Sequence, residues 1–202
     1  MNTFRHIIAL LLVTLVPAVL LYWLLLHYLL PVWRKLGVTA SQYLLWAAVI
    51  AVAFFLTVWR EPLLRGEYGF QPMLAVVGAV FLVGAIVARL QIERFLPWRT
   101  QLGLPEIDPF RYEQKLVTNG PYVHTRHPRY IQVTLALAGW ALVANYPAGY
   151  FTALLWIPFM RLIVHLEEAE LQRRFGLDYG IYCQRTARCW PHPVAVNRRV
   201  KV

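Results

Sequence analysis

Two stretches of this 202-residue chain carry more chemistry than membrane anchoring requires. The first, Leu116 to Tyr130, reads Leu-Val-Thr-Asn-Gly-Pro-Tyr-Val-His-Thr-Arg-His-Pro-Arg-Tyr. Asn119-Gly120-Pro121 is a turn signal. In His127-Pro128 the residue before proline is pushed out of helical geometry, whereas proline suits the first helical position, so a helix is expected to begin at Pro128. Its first amide groups then form a ready site for an anionic group. The plainer reading is a helix start flanked by interfacial Tyr and Arg anchors. The second stretch, Arg161 to Glu170, runs Arg-Leu-Ile-Val-His-Leu-Glu-Glu-Ala-Glu and is followed by Phe175-Gly176-Leu177-Asp178-Tyr179. Acidic groups at the carboxyl end of a span oppose the helix dipole, and ionisable groups at membrane depth are functional candidates. Glu167 and Glu168 lie nearest the apolar run. Glu170 has Arg174 four residues on and reads as a paired surface carboxylate.

The elements that position these groups are membrane spans. Hydrophobic residues make up 59% of the chain and charged ones 15%, where soluble chains hold about 45–50% and about 25%. Mean hydropathy is +0.49. Disorder is excluded by that much apolar surface. The net charge of +10 on an oily chain points to a bilayer before nucleic acid. A bilayer core asks for about 20 apolar residues per helix. Ile7 to Leu30 reads as an uncleaved first span, with His27 and Pro17 inside it; Tyr43 to Trp59 and Met73 to Ala88, extended to Leu96, read as two more. Tyr130 to Ala144 and Gly149 to Val164 form a shorter pair, expected as a helical hairpin. The expectation is an all-α polytopic membrane protein with about five spans. Residues 1–96 hold three of them, and 97–202 form a catalytic region of cofactor loop, hairpin and C-terminal helix. With the amino end outside, 17 of the 20 Lys and Arg residues fall inside and only Arg5, Arg60 and Arg65 outside, a large bias under the positive-inside rule. This orientation puts the carboxyl end and the 97–129 stretch together at the cytoplasmic surface (of the inner membrane, if the source is prokaryotic). The basic tail from Val194 to Val202 reads as a solvated segment near anionic lipid.

Several chemistries drop out. His124, His127, His165 and Glu168 loosely suggest a metal, but His6, His27 and His192 are scattered and no closed or facial-triad ligand set emerges; no metal is expected. Ser41 is the single serine and no Gly-x-Ser-x-Gly elbow is present, which argues against a serine hydrolase. Neither phosphate-binding glycine motif occurs. Cys183 and Cys189 cannot make a disulfide framework and read as reduced interfacial residues.

Leu-Val-Thr-x-Gly-x-Tyr, then Arg-His-Pro-x-Tyr, then Glu-Glu, then Phe-Gly-x-x-Tyr-x-x-Tyr, in that order over about residues 114–191, resembles the isoprenylcysteine carboxyl methyltransferase family. Related phospholipid methyltransferases share the Arg-His-Pro-x-Tyr and Glu-Glu elements. The resemblance implies a membrane methyltransferase that uses S-adenosylmethionine and acts on a lipophilic acceptor, such as a prenylcysteine carboxylate or a membrane lipid. It implies that Gln114, Lys115, Leu116, Val117 and Tyr122 line the cofactor cleft. His127, Pro128, Arg129 and Tyr130 would wrap the cofactor, and Glu167 would accept hydrogen bonds from its polar end. Glu168 would stand close to the reaction. The family's substrate arginine falls at Ile163 here, leaving Arg161 and His165 as the nearest polar candidates. Phospholipid amines and small thiols stay open as acceptors. Membrane sterol reductases share Arg-His-Pro-x-Tyr and the Tyr-Cys-x-Arg of residues 182–185, and would bind NADPH instead. A non-enzymatic membrane subunit is the remaining alternative.

Overall fold

The structure, a computed structural model, describes residues 2–112 and 115–189. The basic tail and Gln114 lie outside the described residues. Four long helices dominate: α1 (Asn2–Tyr28), α2 (Leu30–Val58), α4 (Pro72–Glu93) and α8 (Pro147–Arg185), each long and apolar enough to cross a membrane. A fifth helix, α7 (Pro128–Ala144), has 17 residues and packs inside the same bundle. Short helices α3 (Arg60–Leu63), α5 (Trp98–Gln101) and α6 (Leu104–Ile107) lie in the connections. There is no strand among the described residues, only an isolated bridge between Thr125 and Ala187. This is an all-α membrane protein.

The expected helix start holds at Pro128, with His127 outside helical geometry at φ −127° and ψ 57°. The hairpin differs from the expectation in one respect. Its second arm does not stop near Val164 but continues to Arg185 as one element of 39 residues, bent at Gly176 (φ 50°, ψ −118°). Unbroken backbone hydrogen bonding carries Glu167, Glu168 and Glu170 on the same rod as the apolar span. The turn of the hairpin closes at Asn145, which takes left-handed geometry (φ 55°) and donates from Nδ2 to the Gly69 carbonyl at 2.9 Å.

The core sits where α1 meets α7 and α8. Ile8, Leu12, Leu137, Ala141, Trp156, Ile163 and Val164 are all buried there. The outer faces of α2 and α4 instead expose Ile50, Phe54, Val80, Val83 and Ile86, an apolar surface that suits lipid. Between apolar helices in lipid, association rests on close packing of small residues. The contact of α4 with α7 shows this. A Cβ added at Gly78 would lie 2.7 Å from the Gly139 carbonyl oxygen, and one at Gly139 would lie 2.8 Å from that of Gly78.

Polar groups gather at the two ends. At one, the buried Arg5 donates from Nε to the Ala144 carbonyl at 2.9 Å and from Nη1 to Glu67 at 2.6 Å. At the other, the 97–107 segment is tied to three helices. Tyr22 donates to the Leu102 carbonyl at 2.8 Å, Arg34 donates from Nε to the Glu106 carbonyl at 3.0 Å, and Arg174 of α8 bonds the Pro105 carbonyl. Glu170 does lie 3.8 Å from Arg174 on its own helix, yet its closest partner is Arg34, at the start of α2.

The Gly78–Gly139 contact leads to a stability prediction. Gly78→Ala and Gly139→Ala each push backbone apart and should cost about 1–3 kcal/mol, as overpacking does. Gly84→Ala, which meets open space, should stay within about 0.5 kcal/mol of the parent. Thermal melting in detergent would check both; equal effects at Gly84 and Gly139 would contradict this account of the packing.

Candidate functional site

The site is built at the end of the bundle where the 115–130 segment meets the last turns of α8. Residues 125–127 run beside 186–188. Arg126 donates its backbone amide to the Ala187 carbonyl at 2.8 Å, and His127 donates to that of Arg188 at 3.2 Å. The Thr125 hydroxyl bonds the Arg188 carbonyl at 3.0 Å, and the Tyr182 hydroxyl reaches back to the Tyr122 carbonyl at 2.7 Å. Arg126 also donates from Nη1 to the Cys183 and Thr186 carbonyls at 3.0 and 3.2 Å. These are unpaired acceptors at a helix carboxyl terminus, where a cation is favoured.

Glu168 is the hub of this clasp. Its Oε1 accepts from Arg126 Nε at 3.1 Å and lies 3.1 Å from His127 Nε2, while Arg188 bonds its Oε2. Donating to the Glu168 carboxylate holds the Arg188 guanidinium pKa above its ordinary value. One residue earlier, Glu167 faces another way. Its Oε2 accepts from the Tyr130 hydroxyl at 2.8 Å and lies 3.7 Å from His127 Nδ1. The two nitrogens of His127 therefore stand one against each glutamate, and the first turn of α7 is registered against α8 through a single ring.

In front of Glu167 lies a narrow cleft with about 70 Å³ of free volume, below the roughly 300–1,000 Å³ usual for small-molecule sites. Lys115, Leu116, Val117, Tyr122, His127, Arg129, Tyr130 and Glu167 all line it. Glu168 and Pro128 stand behind this wall rather than in it. Arg161 and His165 are exposed on α8 and do not line the cleft: each lies on a different side of the helix from the buried Ile163–Val164 pair. Ile163, between them, is fully buried in the apolar core.

The cleft also has walls that reading motifs alone does not anticipate. Trp23 and His27 come from α1 and Glu106 from α6, while Tyr179 and Tyr182, the two tyrosines of the Phe-Gly-x-x-Tyr-x-x-Tyr element, join them from the far turns of α8. For His27 a signal existed, an ionisable group inside an apolar run; for Trp23 and Glu106 the partner is distant in sequence. Arg129 stacks its guanidinium over Trp23, 4.3 Å from the ring centroid, a cation–π contact that joins α7 to α1. Burial raises the Tyr122 hydroxyl well above its usual range, so it stays a neutral donor. Glu106 is buried and its carboxyl is pushed up to about 7, because desolvation outweighs the nearby Arg174 guanidinium. Glu106 Oε2 has no hydrogen-bond partner.

Two predictions come from these groups. Glu168→Gln removes a charge that three donors share and should cost about 1.5–3 kcal/mol, the range for a hydrogen bond to a charged group. Thermal melting would read the loss, and an unchanged melting temperature would contradict the role of Glu168 as hub. For Glu106, the folded state keeps the proton up to about pH 7, whereas an ordinary carboxyl releases it at 4.5. The native protein thus binds more protons across that window, and stability falls as pH rises through it, by at most about 3 kcal/mol. Melting temperatures at pH 5 and pH 8 should differ in the parent protein, and Glu106→Gln should flatten the difference.

A family profile described as phospholipid methyltransferase matches residues 73–178, which cover α4, the loop with its clasp, α7 and most of α8. No curated protein and no solved structure matches the chain. The match takes in His127, Tyr130, Glu167 and Glu168, and it supports membrane methyltransferases broadly rather than the isoprenylcysteine branch that the motifs resemble. Its span of more than half the chain settles the assignment: this protein belongs to the phospholipid methyltransferase family.

Proposed function

We propose that this chain is an S-adenosylmethionine-dependent methyltransferase whose donor cleft faces the cytoplasm and whose acceptor is lipophilic. The observation that carries the reading is the cleft itself. It presents charges of both signs, with Lys115, Arg126 and Arg129 set against Glu167, and its lining holds the rings of Tyr122, Phe175, Tyr179 and Tyr182. Such a lining fits a donor that bears an amino group, a carboxylate, an aromatic base and a cationic sulfur, since aromatic faces attract cations. When bound, S-adenosylmethionine supplies a methyl group on that positively charged sulfur.

The residues of the chain then do the following. Glu167, held by Tyr130, accepts hydrogen bonds from amino or hydroxyl groups of the donor. Arg129 and the first amides of α7 face a carboxylate. Lys115, Leu116 and Val117 form the wall of the loop. His127 keeps Glu167 and Glu168 apart and in register, and Glu168 acts through Arg126 and His127 rather than on the donor. Methyl transfer by direct displacement asks for alignment and exclusion of water, and near-attack positioning alone can remove roughly 7–11 kcal/mol from the barrier.

An apolar groove lined by Leu15, Val19, Val133, Leu137 and Trp156 shares Trp23, Arg129 and Tyr130 with the cleft. That continuity supports an acceptor whose chain lies between α1 and α7 while its head reaches the donor. Two acceptor classes fit a lipophilic tail, a prenylcysteine carboxylate and a phospholipid amine. The burial of Ile163 leaves no cation at the place of the family's substrate arginine, which favours the amine. The charge distribution supports the orientation. Arg34, Arg126, Arg129, Arg174 and Arg188 gather at the cleft end, while Arg5 closes the opposite one.

Equilibrium binding to the purified chain tests the reading. S-adenosylmethionine should bind saturably, Glu167→Ala should weaken it at least tenfold, and NADPH should not bind. Binding of NADPH alone would move the protein toward the reductases, and binding of neither by folded protein would overturn the proposal.

A further inference from the structure

His27 sits on α1, outside the stretch that the family profile matches, and it is 9% exposed. Both ring nitrogens are buried and neither has a hydrogen-bond partner among the described residues. A neutral imidazole has one N–H to donate and one lone pair to fill. Leaving both empty in the interior costs free energy that an apolar side chain of the same shape would not incur. Packing does not explain the residue either, since the stack of its ring on Trp23 (centroids 5.9 Å apart, planes at 25°) is available equally to phenylalanine.

His27 and Glu167 line the same cleft, the one from α1 and the other from α8. The His27 ring stacks on the same Trp23 that carries Arg129 on its ring and that belongs to both the cleft and the apolar groove. A molecule whose tail fills the groove has its head at that junction, beside His27. Two further buried polar atoms without a hydrogen-bond partner among the described residues, Glu106 Oε2 and Tyr179 Oη, belong to residues that line the same cleft. We infer that His27 hydrogen-bonds the polar head of the lipophilic acceptor, so that α1 supplies the acceptor side of the site while α7 and α8 supply the donor side. This rests on the methyltransferase reading above and adds to it a named acceptor-contacting residue.

The test uses the full chain in detergent with two probes, a short-chain phosphatidylethanolamine and N-acetyl-S-farnesylcysteine. His27→Phe preserves the stack and removes both nitrogens; His27→Gln restores a donor and an acceptor. In His27→Phe the apparent KM for the methylated probe should rise at least tenfold. The rise in melting temperature that this probe induces in the parent should disappear. The Kd for S-adenosylmethionine should stay within twofold, and the melting temperature without probe should not fall. His27→Gln should recover part of the acceptor response. An acceptor KM within twofold of the parent in His27→Phe would overturn the inference, as would a parallel loss of donor affinity, which would place His27 at the donor end. Parent protein that fails to bind S-adenosylmethionine would sink the methyltransferase reading, and this inference with it. Parent protein that binds the donor but responds to neither probe would overturn the acceptor contact alone.

Discussion

A single carboxylate organises the functional end of this protein. Glu168 gathers Arg126, His127 and Arg188, from two segments more than forty residues apart in sequence, around two oxygen atoms. Removing any one donor leaves the others to share a half-neutralised charge, and removing the carboxylate leaves three cationic or polar groups facing each other without it. The order of the chain is turned to use by this arrangement. Because Glu168 holds His127 from behind, Glu167 on the preceding position of the helix presents its carboxylate to the cleft, held by the Tyr130 hydroxyl.

The membrane explains why such a clasp sits at the end of the bundle rather than in its middle. Along the spans the helices are held by small residues and apolar packing, as where Gly78 meets Gly139, and charged groups are nearly absent. Charge is concentrated where the helices leave the apolar zone. There, burial of a partnered group is tolerable, and a polar cleft can open to the aqueous phase while still bordering an apolar groove. A donor that is polar and an acceptor that is oily can meet only at such a border. The part of α8 before its bend at Gly176 serves this end, carrying the span and its glutamates on one continuous helix.

The start of α7 was legible from His127-Pro128 because proline constrains both itself and its predecessor, and local backbone sterics do not depend on partners. The grouping of the 97–129 stretch with the end of α8 was legible too, from charge asymmetry. What escaped was contact between distant residues. Arg161 and His165 stood out as the polar residues nearest to Ile163 in sequence, and helical rotation carries them to exposed faces. Trp23, His27 and Glu106 reach the cleft only because α1 and the 97–107 segment fold over it. Nothing in their local spacing says so. His27 did stand out as an ionisable group in an apolar run, and the structure adds that it lines the cleft with both ring nitrogens buried.

The most direct test of the account is transfer of label. Purified chain would be reconstituted in vesicles of mixed phospholipid and incubated with S-adenosylmethionine carrying a radioactive methyl group, and the lipid phase then extracted and counted. The account predicts label in the lipid phase that grows with time and with protein. Folded protein, saturated with donor, that leaves the lipid phase unlabelled with both phosphatidylethanolamine and a farnesylcysteine acceptor present would contradict it.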